Sequence, residues 1–441
     1  MVASTYEPSL EQPSPASRSR WYAVLVLFFA LLVSYTDRFI INIVVDPIRA
    51  DLGLTDLEIS FLQGAGFAVI FAIAILPSGR IADARNRRNL IACGVLVWSI
   101  ATIACGLASS FWTFFAARVA VGLGEAALVP AASSLIVNLF SPRQRGIALG
   151  TFTLGAVLGT GVALLVGGAL LNGIKTGQFA TLPLIGGLVP WRQLMILVGL
   201  PGFLLLPMLL LIREPGRHQN PDYFTVSSIF RRLLDDNGAI FRVCVVKAVL
   251  SIGDNGLIAW MPTLLQRKYG MSPLEAGGLV AISLTIGGVT ASISGGAISD
   301  MFARRWGAKS RVVILLGCYV VAIIGALGVF CAASGQLLAI AMGLWALGSI
   351  SGYVVGHVVL QEGVPNEMRA TTIALSLTLT ALIGIALGPT LVALLAADGS
   401  NGGWGLQPAM GTVSLFAALL GLLVIWPPIR LGFAALKHRN S

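Results

Sequence analysis

Four charged residues stand where charge is expensive. Asp37 and Arg38 lie inside one long apolar block, and Arg118 and Glu125 lie inside another. An Asp, Lys or Arg at the centre of a membrane helix costs about 2.5–3.5 kcal/mol. With Glu counted as Asp, four such groups would cost on the order of 10 kcal/mol unless paired or wetted. A cluster must offset that cost, and coupling to a moving ion is the usual reason. At 1.5 Å per residue, Asp37 sits roughly 12 Å below the end of its block. Arg118 sits at a similar depth in a helix running the other way. Arg118 and Glu125 are seven residues apart, about 20° short of two turns, and share a face. This spacing permits a carboxylate–guanidinium–carboxylate chain Asp37–Arg118–Glu125. Arg38 in place of Arg118 remains open, because helix ends read from sequence shift by about two to four residues.

A carboxylate so placed is pulled two ways. Desolvation favours its neutral form, and a neighbouring guanidinium favours its charged form. An arginine drawn away therefore leaves a proton to be taken up, and its return releases one. Asp37 is expected to be the main proton carrier and Glu125 a second or relay site. Arg38 and Arg118 would set their affinity and hold a phosphate or carboxylate of a solute. A structural ion-pair lock is the bland alternative.

The same pattern returns farther along, thinner in charge. Ser34 and Asp37 map onto Ser251 and Asp254 at an offset of 217 residues, with Asn255 where Arg38 stood. Lys247, seven residues before Asp254, shares its face and is the expected partner. These three form the candidate second-half site. The loop Gly79-Arg80-Ile81-Ala82-Asp83 with Arg87 and Arg88 recurs at the same offset as Gly296-Ala297-Ile298-Ser299-Asp300 with Arg304 and Arg305. Arg145 corresponds to Arg369. Gating is the expected role: Asp83 and Asp300, beside their arginines, hold helix ends together when that side is shut, with Arg145 and Arg369 as partners across the closure. Serving only as topology charges is the alternative. His357, near Gln361 and Glu362, reads as interfacial.

These residues need helices to carry them. The chain of 441 residues is 56% hydrophobic and 11% charged, with mean hydropathy +0.87. A soluble protein carries about a quarter charged residues. Apolar blocks of about 20 residues match the thickness of a bilayer as helices, and the absence of period-2 alternation excludes a barrel. Twelve spans are expected, from 21–45 to 408–429. The 29 Lys and Arg fall mostly in segments placed in the cytoplasm if both termini are inside. The expected organisation is a disordered tail (1–20), a six-helix bundle (21–212), a cytoplasmic linker (213–238), a second six-helix bundle (239–430) and a C-terminal tail (431–441). No signal peptide is evident, since the first apolar block is too long and contains Asp37 and Arg38. The five cysteines lie in apolar blocks and read as packing thiols. Gly150, Gly155, Gly159 and Gly161 make the fifth span smooth enough for close packing. Two parallel six-span repeats imply an axis along the membrane normal and a cavity between them near the midplane.

At these residues the chain resembles the major facilitator superfamily. Gly79–Arg88 is similar to that superfamily's loop between its second and third helices, with Ala84 and Asn86 as departures, and Arg118-x-x-x-Gly122 resembles its fourth-helix arginine motif. A narrower resemblance is to the spinster branch of proton-linked carriers of lysophospholipids and sphingoid lipids. It rests on Tyr35-Thr36-Asp37-Arg38-Phe39, on Arg118 through Ala126, and on Leu139-Phe140-Ser141-Pro142-Arg143-Gln144-Arg145. The resemblance implies an all-α fold of two pseudo-symmetric six-helix bundles with cytoplasmic termini. It also implies alternating access, and coupling at Asp37, Arg38, Arg118 and Glu125. The expected cargo is a lysophospholipid or sphingoid-type amphiphile, with protons as coupling ion and no cofactor or metal. The expected setting is a monomer in the cell (inner) membrane, binding no nucleic acid. Organic-anion (sugar-acid-like) symport and drug–proton antiport stay open, although the fifth span lacks the Gly-Pro motif of the antiporters. An integral-membrane enzyme or receptor is disfavoured, since there is no metal-spaced His/Cys cluster, nucleophile elbow or P-loop.

Overall fold

Length and hydropathy alone place twelve helices across a membrane. They are Ser19–Ile43, Asp56–Ala82, Arg87–Leu107, Phe111–Leu139, Gln144–Lys175 and Pro190–Leu210, then Ile240–Tyr269, Pro273–Trp306, Val313–Cys331, Gly335–Gly363, Leu375–Ala396 and Leu406–Ile425. In order they are spans 1 to 12. The computed structural model describes residues 17–179, 181–183, 185–215, 239–307, 310–364, 366–396 and 404–431. Most of the expected tails and linker lies outside these. All regular elements among the described residues are helical.

Local chemistry marks the helix starts. Thr55, Ser110 and Ser272 accept the backbone N–H three residues on, and Glu58, Thr113 and Glu275 accept in return from the capping residue's own N–H. Donors that a helix start would orphan in an apolar setting are thereby satisfied. Pro142, Pro190 and Pro273 sit in first turns, where no N–H is required.

Glycine sets the closest approaches. A Cβ on Gly155 would stand 2.5 Å from the Phe28 carbonyl oxygen, and one on Gly159 the same distance from that of Leu32. Span 5 therefore lies directly on span 1. Gly150 faces open space and Gly161 meets only an ordinary contact, so two of the four glycines in this stretch are required for packing.

Spans 1–6 and 7–12 form two six-helix bundles. Since twelve crossings return the chain to its starting side, one face, the termini face, carries the start of span 1 and the end of span 12. One apolar core lies mainly in the first bundle, around Leu27, Phe67, Trp98 and Leu135, and takes in Ala386 of span 11. A larger one, around Trp260, Tyr319 and Trp345 in the second bundle, continues into the first through Ile40, Ile43, Ile48 and Trp191. Those residues sit at the face opposite the termini. A third cluster, with Ile240, Cys244, Leu360 and Val364, stays separate at the termini face of the second bundle.

Polar contacts follow the same division. Gln63 Nε2 donates to the Ala259 carbonyl at 3.0 Å, and Asn42 Nδ2 donates to that of Ile258 at 3.2 Å. Nearer the surface, Arg267 of span 7 clamps Asp46 (2.6 Å) and Asp56 (2.7 Å) of the first bundle. These bonds between bundles all lie toward the far face, so the bundles are latched there.

Candidate functional site

Spans 1, 2 and 4 are each interrupted near their charged residues. Span 1 passes from α-helix to a 3-10 turn at Ile40. Span 2 breaks at Gly64, and the first helical segment of span 4 ends at Glu125. An interruption frees backbone carbonyls, and Arg118 takes two of them. Its Nε donates to Leu62 O at 2.9 Å, and its Nη2 donates to Arg38 O at 3.3 Å.

Arg38 is the guanidinium that meets Glu125. Its Nε and Nη2 both donate to Glu125 Oε2, the former at 3.2 Å. The guanidinium carbon lies 4.2 Å from the Phe67 ring centroid and 4.6 Å from that of Tyr35. Aromatic faces thus stand where water would otherwise solvate the cation. Glu125 Oε1 has no partner. Asp37, only 1% exposed, accepts from Thr102 Oγ1 at 3.3 Å through Oδ2, and its Oδ1 has no partner.

The expected Asp37–Arg118–Glu125 chain is therefore not the arrangement found. Arg38 replaces Arg118, because the turn ending span 1 aims it at span 4 while the freed carbonyls occupy Arg118. Asp37 has no ion-pair partner among the described residues. All four residues are nonetheless brought together and buried.

A cavity of about 660 Å³ lies between the bundles. Tyr35, Thr153 and Val157 line it from the first bundle. Asp254, Leu284, Trp345, Tyr353 and His357 are among its second-bundle lining residues. Tyr35 is the screen between this space and Arg38. Asp254 accepts from Trp345 Nε1 at 2.7 Å, whereas Lys247 Nζ sits 4.6 Å over the Tyr353 ring. The expected Lys247–Asp254 ion pair is absent because each group has a different neighbour from span 10. Asn255 bonds back to Ser251 O at 2.8 Å within its own helix. A π-helical segment, Thr380–Ile385, widens span 11 beside Ser251, and its Thr380 Oγ1 accepts from Tyr353 Oη at 2.8 Å. Such segments recur at functional sites. His357 faces the cavity rather than an interface. Tyr35 entered only as part of the span-1 motif, and Trp345 and Tyr353 were not singled out by sequence, where an aromatic in a span looks like packing.

The loop residues act within their own bundles. Arg87, 2% exposed, donates to Glu214 at 2.7 Å and to Ser134 O, and Arg88 reaches Leu210 O and Ile212 O. Arg145 caps Val137 O and Phe140 O. Asp300 pairs with Arg311 at 3.0 Å, and Arg311 also takes Glu362. Arg304 and Arg305 are exposed beside Asp300. Gly79 lies in span 2 with Pro130 of span 4 as its near neighbour. The side chains of Asp83 and Arg369 lie outside the described ones. No closure across bundles by Arg145 is present in this form. Arg311, which the 217-residue offset misses, ties spans 8, 9 and 10.

Two interrupted six-helix bundles around a midplane cavity are a transport architecture, and the sequence profile of the Major Facilitator Superfamily matches residues 27–389. The chain belongs to that superfamily. Membership makes it a multi-pass membrane transporter rather than an enzyme. It is similar to an "MFS-type efflux pump" of Mycolicibacterium smegmatis, at 27% identity covering 93% of this chain and 92% of the relative. It is also similar to the cis,cis-muconate transport protein of Acinetobacter baylyi, at 27% identity covering 86% and 88%. A solved bacterial homologue of the human lysosomal transporter spinster, inward-facing and unoccupied, superposes with a TM-score of 0.79 at 25% identity, covering 94% of this chain and 98% of that one. The spinster resemblance read from sequence thus has a structural counterpart.

Proposed function

We propose that this superfamily member is a proton-coupled secondary transporter working by alternating access, with an amphiphile of lysophospholipid or sphingoid type as cargo. One juxtaposition carries the reading. Tyr35 lines the largely apolar cavity between the bundles and also lies against Arg38 of the buried Arg38–Glu125 pair.

Asp37 supplies the first proton site. It is buried with no cation in ion-pairing reach, so a neutral carboxyl costs less there than a carboxylate. Glu125 is charge-matched as long as Arg38 stays on it. Cargo pressing on Tyr35 would loosen Arg38, and Glu125 left without its cation would take a proton. The bundles would then rock about the cavity. With termini in the cytoplasm of a bacterial inner membrane, the latch at Arg267 corresponds to an inward-facing form.

Proteoliposomes of the full chain, loaded with lysophosphatidylethanolamine or sphingosine and given an imposed pH gradient, test the reading. The gradient should accelerate flux of one of these amphiphiles, and Asp37→Asn should remove the acceleration while leaving exchange at equal pH. Equal flux with and without the gradient would overturn proton coupling.

One observation favours a second reading, an organic-anion symporter. His357 lines the cavity and Lys247 lies behind its Tyr353 wall, and a relative of similar length is a cis,cis-muconate transport protein. Gradient-driven flux of muconate but of neither amphiphile would select it.

A further inference from the structure

A buried cation of the second bundle has no ion-pair partner among the described residues. Lys247 is 3% exposed, and its ammonium, with three donors to satisfy, has no acceptor among the described residues. It rests over the face of Tyr353, 4.6 Å away. A ring face does not replace the water that a buried ammonium gives up. Asp254, seven residues along the same helix and about 10 Å distant along its axis, is held by Trp345.

The surroundings are built. The Tyr353 ring is fixed by its hydroxyl's bond to Thr380. The Lys247 stem lies against Gly356, where an added Cβ would come within 3.3 Å of Lys247 Cδ. His357 follows Tyr353 by four residues and so lies on the same face one turn on, and both line the cavity. It is also within electrostatic range of Lys247. The remaining wall carries Asp254, held by Trp345, and Thr153; otherwise it is apolar, running past Leu284 and Ile350 to Val157 on span 5.

We propose that Lys247, Tyr353 and His357 form a headgroup pocket that takes one anionic group, a phosphate or carboxylate, with the cargo's apolar body lying toward spans 5 and 8. This deepens the transporter reading and rests on it, and it narrows the cargo from amphiphiles in general to anionic ones. The anion supplies the acceptor oxygens the ammonium lacks, and His357 contributes a ring N–H.

Equilibrium binding to the purified full chain in detergent tests it without requiring transport. The probes are lysophosphatidic acid (anionic head, long tail), monoolein (neutral head, long tail), sphingosine (cationic head) and adipate (two carboxylates, no tail). Lysophosphatidic acid should bind at least tenfold more tightly than monoolein or sphingosine. Lys247→Met should remove that advantage while leaving monoolein affinity within twofold. Lys247→Arg should restore most of it, and His357→Gln should cost a few-fold. Adipate binding as tightly as the lysolipid, with the same loss in Lys247→Met, would assign the pocket to free organic acids. Equal affinity for the anionic and neutral lipids, no anion binding by folded wild-type chain, or unchanged anion affinity in Lys247→Met would overturn the proposal. A pocket confirmed here with no pH-driven flux would leave the anion site standing and reject proton coupling alone.

Discussion

The far-face latch offers a perturbation whose size can be worked from geometry. Arg267 donates from Nε and Nη2 to Asp46 Oδ1 and from Nη1 and Nη2 to both oxygens of Asp56. The Arg267 and Asp56 side chains are each 28% exposed and Asp46 is 40% exposed, so water screens both pairs. Partly exposed pairs contribute about 0.2–1 kcal/mol each. Two of them sharing one planar guanidinium should stabilise closure of this face by about 0.5–2 kcal/mol. Since 1.4 kcal/mol is a factor of ten, Arg267→Gln should shift the closed-to-open ratio roughly two- to thirty-fold. Spin labels at Thr176 and Ala333, both exposed at this face on opposite bundles, report the distance by double electron–electron resonance once Cys93 and Cys331 are replaced. The variant should gain a longer-distance population, Asp46→Asn with Asp56→Asn should reproduce it, and 1 M salt should produce part of it in the wild type as the Debye length falls to about 3 Å. An unchanged distribution in both variants would show that the apolar core at Ile40, Ile48 and Trp191 holds this face unaided.

Other predictions are local. Arg38→Met leaves Glu125 buried and unpaired, and should lower stability by about 3–5 kcal/mol if Glu125 stays charged, read as a thermal-unfolding shift that Arg38→Met with Glu125→Gln partly reverses. Arg38→Lys should not rescue transport, because an ammonium cannot both bond to Glu125 through two donors and lie flat between the rings of Phe67 and Tyr35. Gly159→Leu should loosen the contact of span 5 on span 1 at a cost of about 1–3 kcal/mol, whereas Gly150→Ala, facing open space, should leave the melting temperature unchanged.

Legibility in the sequence followed physical cause. Span number and the two bundles could be read because the bilayer imposes a length on every apolar block. Asp37, Arg38, Arg118 and Glu125 stood out because charge in oil needs a reason. Which guanidinium reaches Glu125 did not, since that depends on the 3-10 turn after Phe39 and on the break at Gly64, neither of which hydropathy registers. The Lys247–Asp254 pairing failed for a similar reason: helical spacing finds neighbours on one helix, but Trp345 and Tyr353 came from another. Arg267, Asp46 and Asp56 carry no sequence signal of their contact, since the fold joins residues more than 200 apart.

Proton-driven alternation requires buried carboxylates to change protonation as the bundles rock. The most direct measurement is the same far-face distance followed from pH 8 to pH 5 in wild type, Asp37→Asn and Glu125→Gln. Acidification should shift the wild type toward the closed form, because neutral Asp37 is what a site without a cationic partner accommodates, and in Asp37→Asn the two forms should keep one ratio at every pH. A wild-type distribution that does not move with pH, or one that moves identically in Asp37→Asn with Glu125→Gln, would contradict it.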